Sequence, residues 1–212
     1  MTKTTIKAPI FAVSRLRMNT DGSGITTLVA FMGCPLKCRC CLNPKCHEPI
    51  KEGDDIMMLT PQRLYDLVKI DNIYFQTTGG GICFGGGEPT MYANFIKAFR
   101  QVCGDKWKIT LETSLACSAD DLEMLADVVD HWIVDVKSMD SAIYEMYTGR
   151  PSGVSQNLSR LQKLVPNEKV TIKVPAIPDF NEDRDLDADR ELISQQFGFT
   201  DVVKTTYKVI NR

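Results

Sequence analysis

Short runs rich in β-branched and aromatic residues alternate along this chain with stretches whose apolar positions recur every three or four residues. The first kind appears at TTLVAF (26–31), GICF (81–84), WKITLE (107–112), HWIVDVK (131–137), KVTIKVPAI (169–177) and DVVKTTYKVI (201–210). The second appears at TPQRLYDLVK (60–69), MYANFIKAFRQV (91–102), SADDLEMLADVV (118–129), SAIYEMYTG (141–149), SQNLSRLQKLV (155–165) and DADRELISQQF (187–197). Period two marks strands and period 3.6 marks helices. Thr60 before Pro61, and Ser118 three residues before Asp121, read as helix N-caps. Strand, helix and strand in repetition predict an α/β fold with a parallel sheet and crossover helices. Six such units fit a partial (β/α)6 barrel better than a full eightfold one, which takes about 250 residues. A flat, doubly wound sheet is the alternative. The chain reads as a single domain over 1–212, with 1–23 as an extension leading into the first strand.

Three of the strands depart from the continuous apolar run of a fully buried parallel strand. Lys108, Thr110 and Glu112 share one face of KITLET; Asp135 and Lys137 share one face of WIVDVK; Lys169, Thr171 and Lys173 share one face of KVTIKV. Side chains alternate sides along a strand, so each strand has one apolar and one polar side. With helices over the apolar sides, the charges point into the barrel, where they need partners or a ligand. An antiparallel sheet with one wet face gives the same alternation.

Composition adds limits. The 212 residues are 43% apolar and 25% charged, with a net charge of −2 and both signs interspersed. No basic tail or like-charge block points to nucleic acid. No apolar run approaches the roughly 18 residues of a membrane helix, and the first residues lack the pattern of a signal peptide. The expected location is the cytoplasm, where thiols stay reduced and clustered cysteines bind metal more often than they form disulfides.

The chain has eight cysteines and two histidines, and five of the cysteines lie within 34–46. Cys34, Cys38 and Cys41 are spaced C-x3-C-x2-C and follow directly on the first strand. Three thiolates can hold three irons of a [4Fe–4S] cluster, whereas four would close it. Three leave one iron free to bind a ligand. A zinc site at Cys38, Cys41, Cys46 and His47 is a rival, without the second ligand pair that a zinc finger carries some residues on. A ferredoxin-like module is another, but its C-x2-C-x2-C-x3-C-P run is missing. Cys40 or Cys46 can stand in for one of the three. Cys83, Cys103 and Cys117 read as small buried hydrophobes.

CPLKCRCCLNP resembles the cluster loop of radical S-adenosylmethionine enzymes. The resemblance runs along most of the chain and is strongest to the activating enzymes of glycyl radical enzymes, the pyruvate formate-lyase activase group. DGSGI (21–25) resembles that group's lead-in, GGGEP its Gly-Gly-Glu motif at Gly86, Gly87 and Glu88, LETS (111–114) the end of its third strand, and VDVKSMD (134–140) its D-x-K segment. IKVPAIPDFNED (172–183) resembles its fifth strand and proline-bearing loop, and TG at Thr148 a weaker pattern.

The resemblance implies a [4Fe–4S] cluster on Cys34, Cys38 and Cys41 whose open iron binds S-adenosylmethionine. Reductive cleavage would then give methionine and a 5′-deoxyadenosyl radical that abstracts hydrogen. Gly86 and Gly87, with Gly85, would let backbone approach the methionine part, and Glu88 would accept from its ammonium group. Asp135, Lys137 and Lys173 would lie near the ligand, with Lys173 facing its carboxylate. Glu112 and Asp135 match positions that help hold a monovalent cation in relatives. Cys40 stands where an aromatic residue usually lies near adenine. Thr26 and Lys173 stand where arginine is common. The chain runs only a short way past its sixth strand, whereas the activases continue for several more elements. The implied substrate is a backbone glycine of a partner glycyl radical enzyme, with a flavodoxin- or ferredoxin-type electron donor. A small molecule or peptide substrate is the second reading, and a zinc-stabilised, non-catalytic binding module the third.

Overall fold

The six predicted strands line up side by side. In the computed structural model, which describes residues 5–18, 20–177, 180–181 and 186–206, they are β2 (Ile25–Phe31), β4 (Gly81–Gly86), β5 (Lys108–Thr113), β6 (His131–Asp135), β7 (Val170–Ala176) and β8 (Val202–Thr206). Each pairs in parallel with the next. Two further strands, β1 (Ala8–Met18) and β3 (Met57–Leu59), complete an eight-stranded sheet in the order β3-β1-β2-β4-β5-β6-β7-β8. The antiparallel, wet-faced sheet is overturned for the six predicted strands; antiparallel pairing occurs at β1 with β2 and β1 with β3.

The residues expected to be an extension thus contain the longest strand. Its alternation was hidden by register shifts at 10–12 and 14–17, with Leu16 at a φ of 55°. A bulge of this kind breaks the period of two on which strand reading depends. Part of the proline-bearing loop, Pro178, Asp179 and 182–185, and the end of the last predicted strand at 207–210 lie outside the described residues.

Helices α1 (Pro61–Val68), α3 (Ala93–Cys103), α4 (Ala119–Ala126), α5 (Ser141–Thr148), α6 (Val154–Leu164) and α7 (Leu186–Phe197) occupy the predicted stretches. The Thr60 and Ser118 hydroxyls cap α1 and α4 as expected, each accepting at 3.1 Å from the backbone N–H three residues on. Helix α2 (Asn72–Thr78) was not predicted; Ile73 and Tyr74 are exposed, so its seven residues show no apolar stripe. No helix among the described residues is long and apolar enough to cross a membrane.

The core lies between helices and sheet. Ile109, Leu111, Trp132, Val134, Val170, Ile172 and Val174 are all buried there. Their neighbours along each strand form the other face. On it, Lys173 Nζ donates to Glu112 Oε1 at 2.9 Å, reaching across β6. Arg17 pairs with buried Asp21, the first residue of DGSGI. Of the charges expected inside, Glu112 with Lys173 and Asp135 with Lys137 are there and paired; Lys108 and Lys169 are exposed, and Lys169 lies on the 3-10 turn before β7.

A second buried carboxylate ties β1 to the helical layer. Asp71 is fully buried and accepts from Arg15 Nε at 2.9 Å and Thr27 Oγ1 at 3.0 Å. The guanidinium holds the Asp71 carboxyl below the usual carboxylate range, against the opposing effect of burial. A depressed folded-state pKa adds stability above the unfolded value, near 3.9, that is lost as pH falls through the folded value. Asp71→Asn is expected to cost about 2 kcal/mol at pH 7, the scale of charged hydrogen bonds. In urea unfolding, the gap to the parent should narrow below about pH 4. A gap that persists in acid would show that the charge pair is not its cause.

Candidate active site

The C-terminal end of β2 delivers the cysteine loop, and neighbouring strand ends fix it. Gly87 N donates to Phe31 O at 2.9 Å, Glu88 N to Gly33 O at 2.9 Å and Gly33 N to Cys46 O at 2.8 Å. Asn43 Nδ2 donates to Gly86 O at 3.1 Å, and the Tyr92 hydroxyl to Met32 O at 2.7 Å. From the far side, Lys37 N donates to Thr148 O at 2.8 Å and Arg39 N to Tyr147 O at 3.1 Å. The TG pattern at Thr148 thus marks a helix end that anchors the cysteine loop.

Two cavities flank the loop. The first, of about 140 Å³, is lined by Gly86, Gly87, Glu88, Glu112, Asp135 and Lys137 together with Cys34, Cys38 and Cys41. The second lies on the other side of the loop, and the same three cysteines and Cys46 reach it. Cys34, Cys38 and Cys41 are thus the cysteines common to both. Cys40 lines neither, because Arg39 and Cys40 form a turn that carries that side chain away; Leu42 lines the first cavity instead. Lys173 also stays off the cavity wall and reaches it only through Glu112. Cys83 and Cys103 are buried and Cys117 packs half-buried against the core, as small hydrophobes do.

Glu88 is the most constrained group in the wall. It is 1% exposed. Its Oε1 accepts from Thr113 Oγ1 at 2.6 Å, Thr90 Oγ1 at 2.8 Å and Thr90 N at 3.2 Å. Its Oε2 accepts from Ser114 Oγ at 2.7 Å and Ser114 N at 2.9 Å. Thr90, Thr113 and Ser114 went unremarked as functional residues in the sequence, although LETS contains two of them. The signal was a pair of hydroxyl residues at a strand's C-terminal end. The glycines before Glu88 line the cavity, but the chain itself demands them. Gly86 has a φ of +89°, and a Cβ on Gly87 would stand 2.0 Å from Gly33 O.

Asp135 Oδ2 pairs with Lys137 Nζ at 2.6 Å, while Asp135 Oδ1 is buried without a partner among the described residues. A buried carboxylate oxygen left unpaired beside a cavity calls for a donor from a ligand. Burial pulls the Lys173 ammonium down, but Glu112 holds it above its ordinary range. Each of the two carboxylates considered for a monovalent cation therefore already has an ammonium partner.

The thiols divide. Burial pushes Cys34 up to about 12 and Cys38 up to about 11. Cys41 is held below the usual thiol range, chiefly because Cys46 donates a hydrogen bond to it. A bound cation removes such thiol protons outright. Cys41, Cys46 and His47 each place a ligand atom within 4.8 Å of the others. Cys38, the fourth member of the zinc set, is not in that group. A cubane carries its thiolates on separate irons and so wants them farther apart than a single ion does. Three thiols shared by two cavities, beside an unpaired buried carboxylate oxygen, fit a cluster with S-adenosylmethionine on one side.

Similarity to known proteins agrees with this geometry. Over 211 residues the chain is 29% identical to the pyruvate formate-lyase 2-activating enzyme of Escherichia coli (strain K12), covering 84% of this chain and 70% of that one. It is 25% identical to the isethionate sulfite-lyase activating enzyme of Desulfovibrio desulfuricans, covering 76% and 71%. Among solved structures, Streptococcus suis SuiB bound to S-adenosylmethionine superposes with a TM-score of 0.62 at 16% identity, over 85% of this chain and 40% of SuiB. This chain thus spans about two-fifths of SuiB, and the likeness shows the partial-barrel fold. The family model of the radical SAM superfamily matches residues 28–192, from β2 through most of α7. A non-catalytic zinc module would not account for so long a match, and that reading is discarded. The chain belongs to the radical SAM superfamily, whose enzymes use a [4Fe–4S] cluster and S-adenosylmethionine.

Proposed function

We propose that this radical SAM enzyme activates a glycyl radical enzyme by abstracting hydrogen from a backbone glycine Cα of that partner. The likeness to activating enzymes, over about 70% of their length, carries the reading. The cluster and S-adenosylmethionine, when bound, supply an electron and a carbon-centred radical, chemistry that no side chain provides.

The chain's own residues would bind and orient. Cys34, Cys38 and Cys41 would hold three irons. Glu88, braced by its five donors, would present a fixed negative charge to the amino end of the methionine part. Asp135 Oδ1 would accept a further ligand proton, and Lys137 would face the carboxylate. Leu42, on the wall of the first cavity, would be an apolar contact for the adenine. Lys173 would act at one remove, by holding Glu112. A flavodoxin- or ferredoxin-type protein would supply electrons.

The test is anaerobic incubation of the reduced, cluster-loaded protein with S-adenosylmethionine and a candidate glycyl radical enzyme. The expected result is the doublet of a glycyl radical in electron paramagnetic resonance. Deoxyadenosine formed on a peptide or metabolite, with no doublet on any candidate partner, would overturn activation and leave direct substrate modification.

A further inference from the structure

We propose that Cys41, Cys46 and His47 form a binding site for a single zinc ion that excludes the iron–sulfur cluster, because Cys41 belongs to both. The inference does not depend on the identity of the substrate. Two thiolates and an imidazole are the donors that zinc prefers among side chains. Bonds of about 2.0–2.3 Å to a tetrahedral ion require ligand atoms within about 4 Å of one another. These stand within 4.8 Å, so a small side-chain rotation closes the set.

The scaffold beneath the site is already fixed. Cys46 and His47 sit on a single turn of 3-10 helix, Pro44–His47, opened by proline. Cys46 is buried; its N–H donates to Asn43 O at 3.0 Å, and its carbonyl accepts from Gly33 N at 2.8 Å. His47 is exposed and lines the second cavity with Cys41, Cys46 and Glu48. An ion can thus enter from solvent on the side away from the S-adenosylmethionine cavity. The protein supplies three ligands, leaving the fourth position to water.

This site differs from the zinc-stabilised module discarded above. Its ligands lie outside the cluster of residues that forms the helix–sheet core, and Cys34 and Cys38 take no part. What it creates is a choice at Cys41. While Cys41 is committed to zinc, the cluster keeps only two of its cysteines. Zinc held here would therefore gate cluster assembly.

The experiment uses the full chain, freed of cluster and kept reduced without oxygen. Zn²⁺ is titrated in competition with a chromophoric chelator. One tight equivalent is expected. His47→Gln and Cys46→Ser should each weaken it by at least about tenfold, the smaller loss known for even outer-shell partners of a metal. Cys34→Ser should leave it unchanged. Zinc added before iron and sulfide should slow the growth of the cluster's visible absorbance, and His47→Gln should remove that delay. His47 is exposed, so its replacement tests the site without disturbing the core. Zinc affinity that falls in Cys34→Ser and stays intact in His47→Gln would overturn the proposal. So would equal zinc uptake at this affinity by the cluster-loaded protein. Neither readout involves S-adenosylmethionine or a partner, so failure here is distinct from failure of the activase reading.

Discussion

Cys38→Ala is expected to lose the brown iron–sulfur absorbance and to reduce deoxyadenosine formation to background. Cys34→Ala and Cys41→Ala should do the same. On the proposed ligand set one corner of the cluster is left to S-adenosylmethionine, so three thiolates would be the whole protein contribution to holding it. Removing one leaves two irons without a protein ligand. The remaining thiols, at Cys34 for instance, are pushed up by burial and keep their protons unless the cation is there to displace them. The matched controls are Cys40→Ala and Cys46→Ala, which should keep the absorbance. Cys40 turns away from both cavities, and Cys46 reaches one alone. Retention of cluster and cleavage in Cys38→Ala, with loss in Cys46→Ala, would move the ligand set.

Glu88→Ala should be the most destabilising change in the site. It strips the acceptor from two backbone N–H groups and three hydroxyls at 2.6–3.2 Å, in a position 1% exposed. A buried donor left without its acceptor costs about 1–3 kcal/mol, and five lose theirs here, so a loss of at least about 3 kcal/mol is expected. For a domain of this size each kcal/mol lowers Tm by about 2–4 °C, so a fall of at least about 6 °C is expected. Glu88→Gln keeps the shape but turns an amide nitrogen towards some of the donors, and should cost about 2 kcal/mol. Calorimetry of the two variants without cofactor separates the role in folding from the role in binding. An unchanged Tm in both would show that Glu88 serves only the ligand.

The alternating strands and helices were legible because burial imposes a period on regular elements. KITLET, WIVDVK and KVTIKV show it in their later halves: Glu112, Asp135, Lys137 and Lys173 lie at or beside the cavity, whereas Lys108 and Lys169, at the strand starts, are exposed. The same logic failed where regularity was interrupted. Strand β1 carries a bulge, and α2 exposes Ile73 and Tyr74, so neither shows a clean period. Cys40 lines neither cavity for a related reason. Spacing in a loop says which residues are near in sequence, whereas the turn at 39–40 decides which way each points.

By itself the sequence determined the six parallel strands, the C-x3-C-x2-C spacing, and the sides on which Glu112, Asp135 and Lys173 lie. These follow from local periodicity and short-range order, which a linear string carries. The tertiary structure alone decided which groups meet: Glu88 with Thr113 and Ser114, Lys173 with Glu112, and Cys41 with both Cys46 and His47. Those meetings depend on strand register and on how loops are pinned across the sheet, and side-chain alternation fixes a face without naming the partner found there.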